Sequence, residues 1–220
     1  MLFTTACGGM FEPPPPLFDS GRYNTIVVLP ARVVIKTGSP PFLAENDDLT
    51  GKISGLAQEA VSTVMVVKGY DVMAPLDVND KLRGDRSLED AFMDVALKSG
   101  FMSEMGPPPD DYEMPEGSGR KLAEALGADM IVLVQGNGEF HSFSENLVQG
   151  IFTNIISDGK KKAQSRPSFL KMELIFVDPI GERVEARMWT GGFTYTDKII
   201  PMSRYLEQRM SRVPVRNRPQ

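Results

Sequence analysis

The stretch from residue 169 to 192 constrains this chain most. Leu170, Met172, Leu174 and Phe176 alternate with Lys171 and Glu173, and Val184, Ala186 and Met188 alternate with Arg183, Glu185 and Arg187. A period of two puts each apolar set on one side of an extended segment, so both read as half-buried strands. The residues between them suffice only for a turn, and the strands must pair as an antiparallel hairpin. Matching core to core sets Phe176 opposite Val184 and leaves the loop Pro179-Ile180-Gly181, with Gly181 in the left-handed position. In that register Glu173 faces Arg187 and Lys171 faces Trp189, an opposite-charge pair and a cation–aromatic contact on the outer face.

Upstream the signals alternate between strand and helix. Residues 24–36 hold Ile26-Val27-Val28-Leu29 and Val33-Val34-Ile35, a strand covered on both faces, with Pro30 marking a bulge or an edge. Asn46-Asp47-Asp48 caps a helix over 49–68 that Gly69 ends, its stripe being Leu49, Ile53, Leu56, Ala60, Val64 and Val67. Residues 70–74 return as a short strand beside the first, a strand-helix-strand unit with a right-handed crossover. Ser87-Leu88-Glu89-Asp90 starts a second helix that stops at Gly100. Residues 106–119, rich in proline and carboxylate, form a solvated loop. Ser118 caps a third helix through Leu126, stopped by Gly127, and Met130-Ile131-Val132-Leu133-Val134 then runs as a buried strand through Gly136 and Gly138 toward Phe143. The two glycines indicate a bulge or a close approach of backbone. A short helix over 202–210 and a frayed tail over 212–220 close the chain. The fold class is α/β (α+β): a two- or three-layer sandwich whose mixed sheet is opened by a β-α-β unit and closed by an antiparallel hairpin. Residues 1–22 read as a stalk, 23–200 as one domain with a helical insertion at 145–166, and 201–220 as a terminal helix and tail.

Composition narrows function. A chain of 220 residues supports one core of ordinary size. Its net charge of -5 argues against nucleic acid as a partner, because counterion release from phosphates needs a basic face. Cys7 is the one cysteine, which excludes an intramolecular disulfide and a thiolate-rich zinc site. No apolar run is long enough to cross a bilayer as a helix. Thr4-Thr5-Ala6-Cys7-Gly8-Gly9 nevertheless has the small residues that a bacterial lipoprotein carries around its acylated cysteine, and Pro13-Pro14-Pro15-Pro16 after it suits an extended spacer. Only Met1-Leu2-Phe3 precede that box, shorter than a secretory signal needs, so a free cysteine in an unstructured tail stands as the other reading.

Residues able to carry chemistry are sparse. His141 is the one histidine, two positions beyond Glu139 on the same strand face, and two ligands do not make a metal site. Gly136-Asn137-Gly138 lacks the third glycine of a dinucleotide fingerprint and opens no helix. Lys160-Lys161-Lys162 reads as a solvated loop run, with attraction to lipid headgroups as the sharper alternative. Leu147, Val148, Ile151, Phe152, Ile155 and Ile156 recur at helical steps inside the insertion, as core cover for the sheet or as a contact for a partner, another copy or lipid. With Trp189 they form the candidate interaction surface. No catalytic residue, cofactor or metal is expected.

The lipidation-like Cys7, the proline segment, the strand-helix-strand opening, the Gly127-Ala128-Asp129 junction before an apolar strand and the Asp178-Pro179-Ile180-Gly181 hairpin together resemble a group of envelope lipoproteins. The group includes the curli-secretion lipoprotein and the activator lipoproteins of penicillin-binding proteins, whose domain looks like the N-terminal domain of the translocation protein TolB. The resemblance spans about residues 23–193 in order of elements and rests on pattern. It implies an outer-membrane lipoprotein facing the periplasm, anchored through Cys7, that assembles or activates an envelope machine by contact with a protein partner. A ring of self-associated copies in a secretion or motor complex is the alternative, and an extracytoplasmic enzyme a distant third.

Overall fold

The proline expected to interrupt the first strand does so, and the computed structural model of the chain shows how the sheet absorbs it. Residues 15–38, 43–101, 116–140, 169–191, 193–194 and 199–216 are described. β1 (Thr25–Val28) and β2 (Arg32–Thr37) both run parallel to β5 (Met130–Phe140), β1 against its start and β2 against its end. β6 (Phe169–Asp178) lies antiparallel along the other side of β5, so β1 and β2 are two halves of one broken strand. Residues 29–31 stand opposite only residues 133 and 134 of β5, and this extra residue is the bulge at Pro30.

The mixed sheet has eight strands among the described residues. β4 (Asp71–Val72) pairs with β1 in parallel, as the strand-helix-strand opening requires, and β3 (Ala44–Glu45) pairs with β2. On the other side β7 (Arg183–Trp189) and β8 (Phe193–Thr194) both pair with β6.

Helices cover both faces, giving three layers. α1 (Asp47–Val67) and α5 (Ile199–Arg209) lie on the face lined by Ile26, Val28, Met130, Val132, Leu174 and Phe176. α2 (Pro75–Gly84), α3 (Arg86–Lys98) and α4 (Ser118–Leu126) cover Val27, Leu29, Ile131, Leu133, Ile175 and Val177 on the other. Neighbouring residues of β1, β5 and β6 are therefore buried in opposite directions, which accounts for their unbroken apolar runs.

Local chemistry moves several boundaries. The Asn46 side chain accepts from Leu49 N at 3.0 Å and starts α1 at Asp47, and Val67, expected in the buried stripe, is instead exposed, the stripe passing through Ala57, Val61 and Met65. Asp85, not Ser87, caps α3 by accepting from Ser87 N at 2.8 Å. The Ser118 hydroxyl donates to Asp94 Oδ2 rather than capping α4, whose N-cap is Gly117. α4 ends at Gly127 as expected. α2 is an element the sequence reading lacks.

The hairpin register also differs from the expected one. Phe176 pairs with Ala186, Val177 with Val184 and Glu173 with Trp189, because a bulge falls between Phe176 and Val177 and the turn takes four residues, 179–182. The Asp178 carboxylate accepts from Ile180 N at 3.2 Å and Gly181 N at 3.0 Å, which fixes that wider turn, and the positive φ of 45° belongs to Glu182, not Gly181. Lys171 lies over the Phe169 ring at 5.8 Å rather than beside Trp189.

Both described ends belong to the core. Phe18 is buried against Tyr23, Tyr70 and Phe176, with Leu17 N donating to Arg212 O at 3.0 Å. Val213 is buried, the Tyr70 hydroxyl donates to Pro214 O at 3.1 Å and Arg216 N to Lys68 O at 2.8 Å. The stalk assigned to residues 1–22 and the frayed tail assigned to 212–220 thus give way, from residue 15 and up to residue 216, to two segments clamped side by side. Gly69 lets the clamp close: a Cβ there would stand 2.6 Å from Arg216 O, at a φ of 92° that side chains rarely adopt.

Candidate interaction surface

β7 is the outer strand of the hairpin, and among the described residues its pairing is with β6 alone. An edge left unpaired by the described residues is a template for another strand, the feature that sheets ordinarily shield. Three large apolar side chains stand exposed on this hairpin: Ile180 at the turn, Val184, and Trp189, whose surface is 65% accessible. An exposed indole on an open edge is the strongest apolar contact the described surface offers, since Trp combines large contact area with low conformational cost.

One buried carboxylate, that of Glu173, helps hold that strand in place. Arg32, Gln135, Glu173 and Trp189 lie opposite one another across β2, β5, β6 and β7. Glu173 is nearly inaccessible and takes Gln135 Nε2 at 2.6 Å on one oxygen and Arg187 Nη1 at 2.9 Å on the other. The ion pair expected between Glu173 and Arg187 therefore forms, diagonally, with Arg187 opposite Ile175. Arg187 also donates through Nη2 to Ser99 O at the end of α3, tying the outer strand to the helix layer. Both buried lone-pair sets are satisfied, the condition under which such a pair keeps its geometry.

A second buried carboxylate ties the turn to the amino end of the domain. Asp178 accepts from Arg22 Nη2 at 2.7 Å, and Arg183 lies 3.7 Å from the same oxygen while reaching Glu185 at 3.0 Å. Burial, then the charges of Asp178 and Glu185, raise the Tyr23 hydroxyl above the usual tyrosine range. That hydroxyl is the buried side-chain atom that lacks a hydrogen-bond partner among the described residues. Burial pushes Tyr70 up to about 12, and Lys68 is lowered by burial against the opposing pull of Glu207.

Two hollows open beside the helix layer of α2, α3 and α4. One, of about 210 Å³, is lined by Val95, Ser99, Val177, Pro179 and Val184, with Lys98 and Glu182 paired at 3.6 Å at its rim. Glu182 further accepts from Gly117 N at 2.9 Å, which ties the hairpin turn to the residue that precedes α4. The other, about 200 Å³, lies at Pro30 between Asn79, Leu82, Arg83, Glu89 and Phe92. In the first, the Ser99 hydroxyl is engaged by its own helix, donating to Val95 O at 2.7 Å, and the described residues contain no group of three or more side chains able to hold a metal ion.

The predicted site residues divide sharply. Trp189 is on the surface at the sheet edge. Cys7, His141, the lysines at 160–162 and the stripe Leu147, Val148, Ile151, Phe152, Ile155 and Ile156 lie outside the described residues. Gly136 and Gly138 face the main chain of β6: an added Cβ at Gly138 would sit 2.6 Å from Phe169 O, and one at Gly136 would collide with Lys171 O. These glycines permit strand approach and leave no room for a phosphate. What sequence reasoning missed is the clamp of the two ends, whose one signal was Leu17-Phe18 after the proline run. No family model, curated protein or solved structure matches the chain.

Proposed function

We propose that the chain is the folded head of an outer-membrane lipoprotein, anchored through Cys7, that acts in the periplasm by protein contact rather than by turnover. The observation that carries the contact reading is the open edge of β7 with Val184 and Trp189 exposed along it. Main-chain pairing at such an edge supplies affinity and the indole supplies an anchor. The buried carboxylates support the same reading, since Glu173 and Asp178 are engaged in fastening β7 and the turn. The three-layer mixed sheet, with its parallel β-α-β start and antiparallel finish, accords with a TolB N-terminal-like domain. The same edge suits copy-to-copy pairing, which is what a ring of subunits needs.

The test is photocrosslinking in the native host from a probe at position 189. A discrete adduct with one envelope protein, lost when Val184→Asp is added, is the expected result. An adduct with a second copy, matched by a large assembly in light scattering, selects the ring. A probe that captures nothing, in protein shown to be folded, refutes contact at this edge.

A further inference from the structure

Four aliphatic side chains stand more than half exposed on segments that meet at one end of the sheet: Val66 and Val67 in the last turn of α1, Val215 beside the clamp, and Ile180 in the hairpin turn. The register places them there. Thr25 pairs with Asp71 and Ile26 with Met130, while Ile131 pairs with Val177, so β1, β4 and β5 start where β6 ends. Lys68, three residues before β4, holds Arg216 N through its main-chain oxygen, and Asp178, the last residue of β6, holds Arg22. The described chain also enters at this end, because Pro15 O accepts from Arg212 Nε at 3.3 Å.

We infer that this end of the sheet faces the lipid bilayer, an inference that rests on the anchor reading of Cys7. From Cys7 to Pro15 is eight residue steps, which no conformation extends beyond ~28 Å. β5, at 11 residues, is by itself ~36 Å long. Inverting the domain, with β3 toward the bilayer, would lift Pro15 farther from the membrane than the tether reaches. The end where the tether attaches stays nearest the lipid, and its exposed valines and isoleucine are the side chains that enter the interface.

Charge at this end is mixed and leans acidic, since Arg22 is matched by Asp178 while Asp129 and Glu182 add two further carboxylates. Arg183, Arg212 and Arg216 are countered by Asp19, Asp71 and Glu207, with Arg216 4.0 Å from Asp71, and Lys68 is largely buried. With no surplus of cations here, the partner is the aliphatic interface of the bilayer and not an anionic headgroup, and salt does not weaken the contact. β7 and Trp189 then rise along the side of the domain, clear for a protein partner.

The lone thiol allows a test that does not depend on native lipidation. The full chain is coupled through Cys7 to maleimide-bearing phosphatidylethanolamine in phosphatidylcholine vesicles whose acyl chains are brominated, which quench nearby indoles at short range. In a Trp189→Phe background, Ile180→Trp should lose about half or more of its emission, equally at low and high salt, while Ala44→Trp, on β3 at the opposite end, keeps its emission. Equal quenching at both positions, or none at either, overturns the assignment. Should a variant fail to fold, hydrogen exchange on the unmodified chain decides: slowing on coupling at residues 66–69 and 180–182 supports it, and uniform or absent slowing overturns it. A bare Cys7 in native material would remove the anchor reading while leaving the vesicle result legible.

Discussion

β6 and β7 are the two strands of one hairpin and differ almost completely in what covers them. β7 alternates apolar with charged residues along most of its length, but β6 does so only up to Glu173 before the unbroken run Leu174-Ile175-Phe176-Val177, and from Met172 to Asp178 every residue of β6 is buried, whereas Met188 is the one buried residue of β7. The continuous apolar run, not the alternation beside it, marks the strand that is covered on both faces. β6 is flanked by β5 and β7 and sandwiched by helices, so even Glu173 and Asp178 are enclosed, each with a cation brought from elsewhere in the chain. Among the described residues β7 has one neighbour, and while Met188 and Ala186 pack on the core it leaves Val184 and Trp189 to solvent or a partner.

Paired substitutions test that contrast. Phe176→Ala on β6 should cost about 3–5 kcal/mol in denaturant unfolding, since its ring fills a core that collapses poorly, while Val184→Ala on β7 should cost about 0.5 kcal/mol or less. Comparable losses would mean that β7 is covered after all. Arg187→Met should cost about 2 kcal/mol, a figure below that of a fully enclosed pair because the guanidinium is partly exposed. Adding Glu173→Gln should recover part of that loss, and a double-mutant cycle that showed strict additivity would dissolve the proposed link between Glu173 and Arg187.

The two tyrosines at the clamped ends sharpen the comparison through pH. Tyr70 is raised to about 12 by burial, and the folded state therefore favours its neutral form. The associated stability is fully present below the unfolded value near 10 and is lost as pH climbs through the folded value, on the order of 2 kcal/mol over that window. Tyr70→Phe should flatten the alkaline limb while costing about 1 kcal/mol at neutral pH, where its bond to Pro214 O is lost. Tyr23→Phe, which removes a buried hydroxyl lacking a partner, should be neutral or mildly stabilising by about 0.5 kcal/mol at neutral pH. If the two variants behaved alike, the clamp at Pro214 would be without energetic weight. Smallest of all, Trp189→Ala should move stability by no more than about 0.5 kcal/mol and register only in partner capture.

The parts of the fold legible in the sequence are those governed by local chemistry. Gly127 ends α4, Pro30 breaks the first strand into β1 and β2, and the apolar run at Met130 is a strand buried on both faces. Features that depend on distant partners were not legible. α2 buries only Val78 and Leu82, too short a stripe to register as a period. The bulge at Phe176 and Val177 comes with a turn fixed by Asp178, whose carboxylate is placed by Arg22 from the other end of the chain. Leu17 and Phe18 read as spacer because they follow prolines, and their burial depends on Arg212, Tyr70 and Phe176. In the candidate surface, Trp189 could be singled out as the one tryptophan on a strand's charged side, but its position at an open edge required the sheet order.

The anchor is the claim on which orientation and partner access both depend, and the direct measurement is the intact mass of the protein isolated from membranes of its native host. The account predicts a mature chain that begins at Cys7 and carries the added mass of a thioether-linked diacylglyceryl group. A full-length polypeptide with a free thiol, recovered from the soluble fraction, would contradict it.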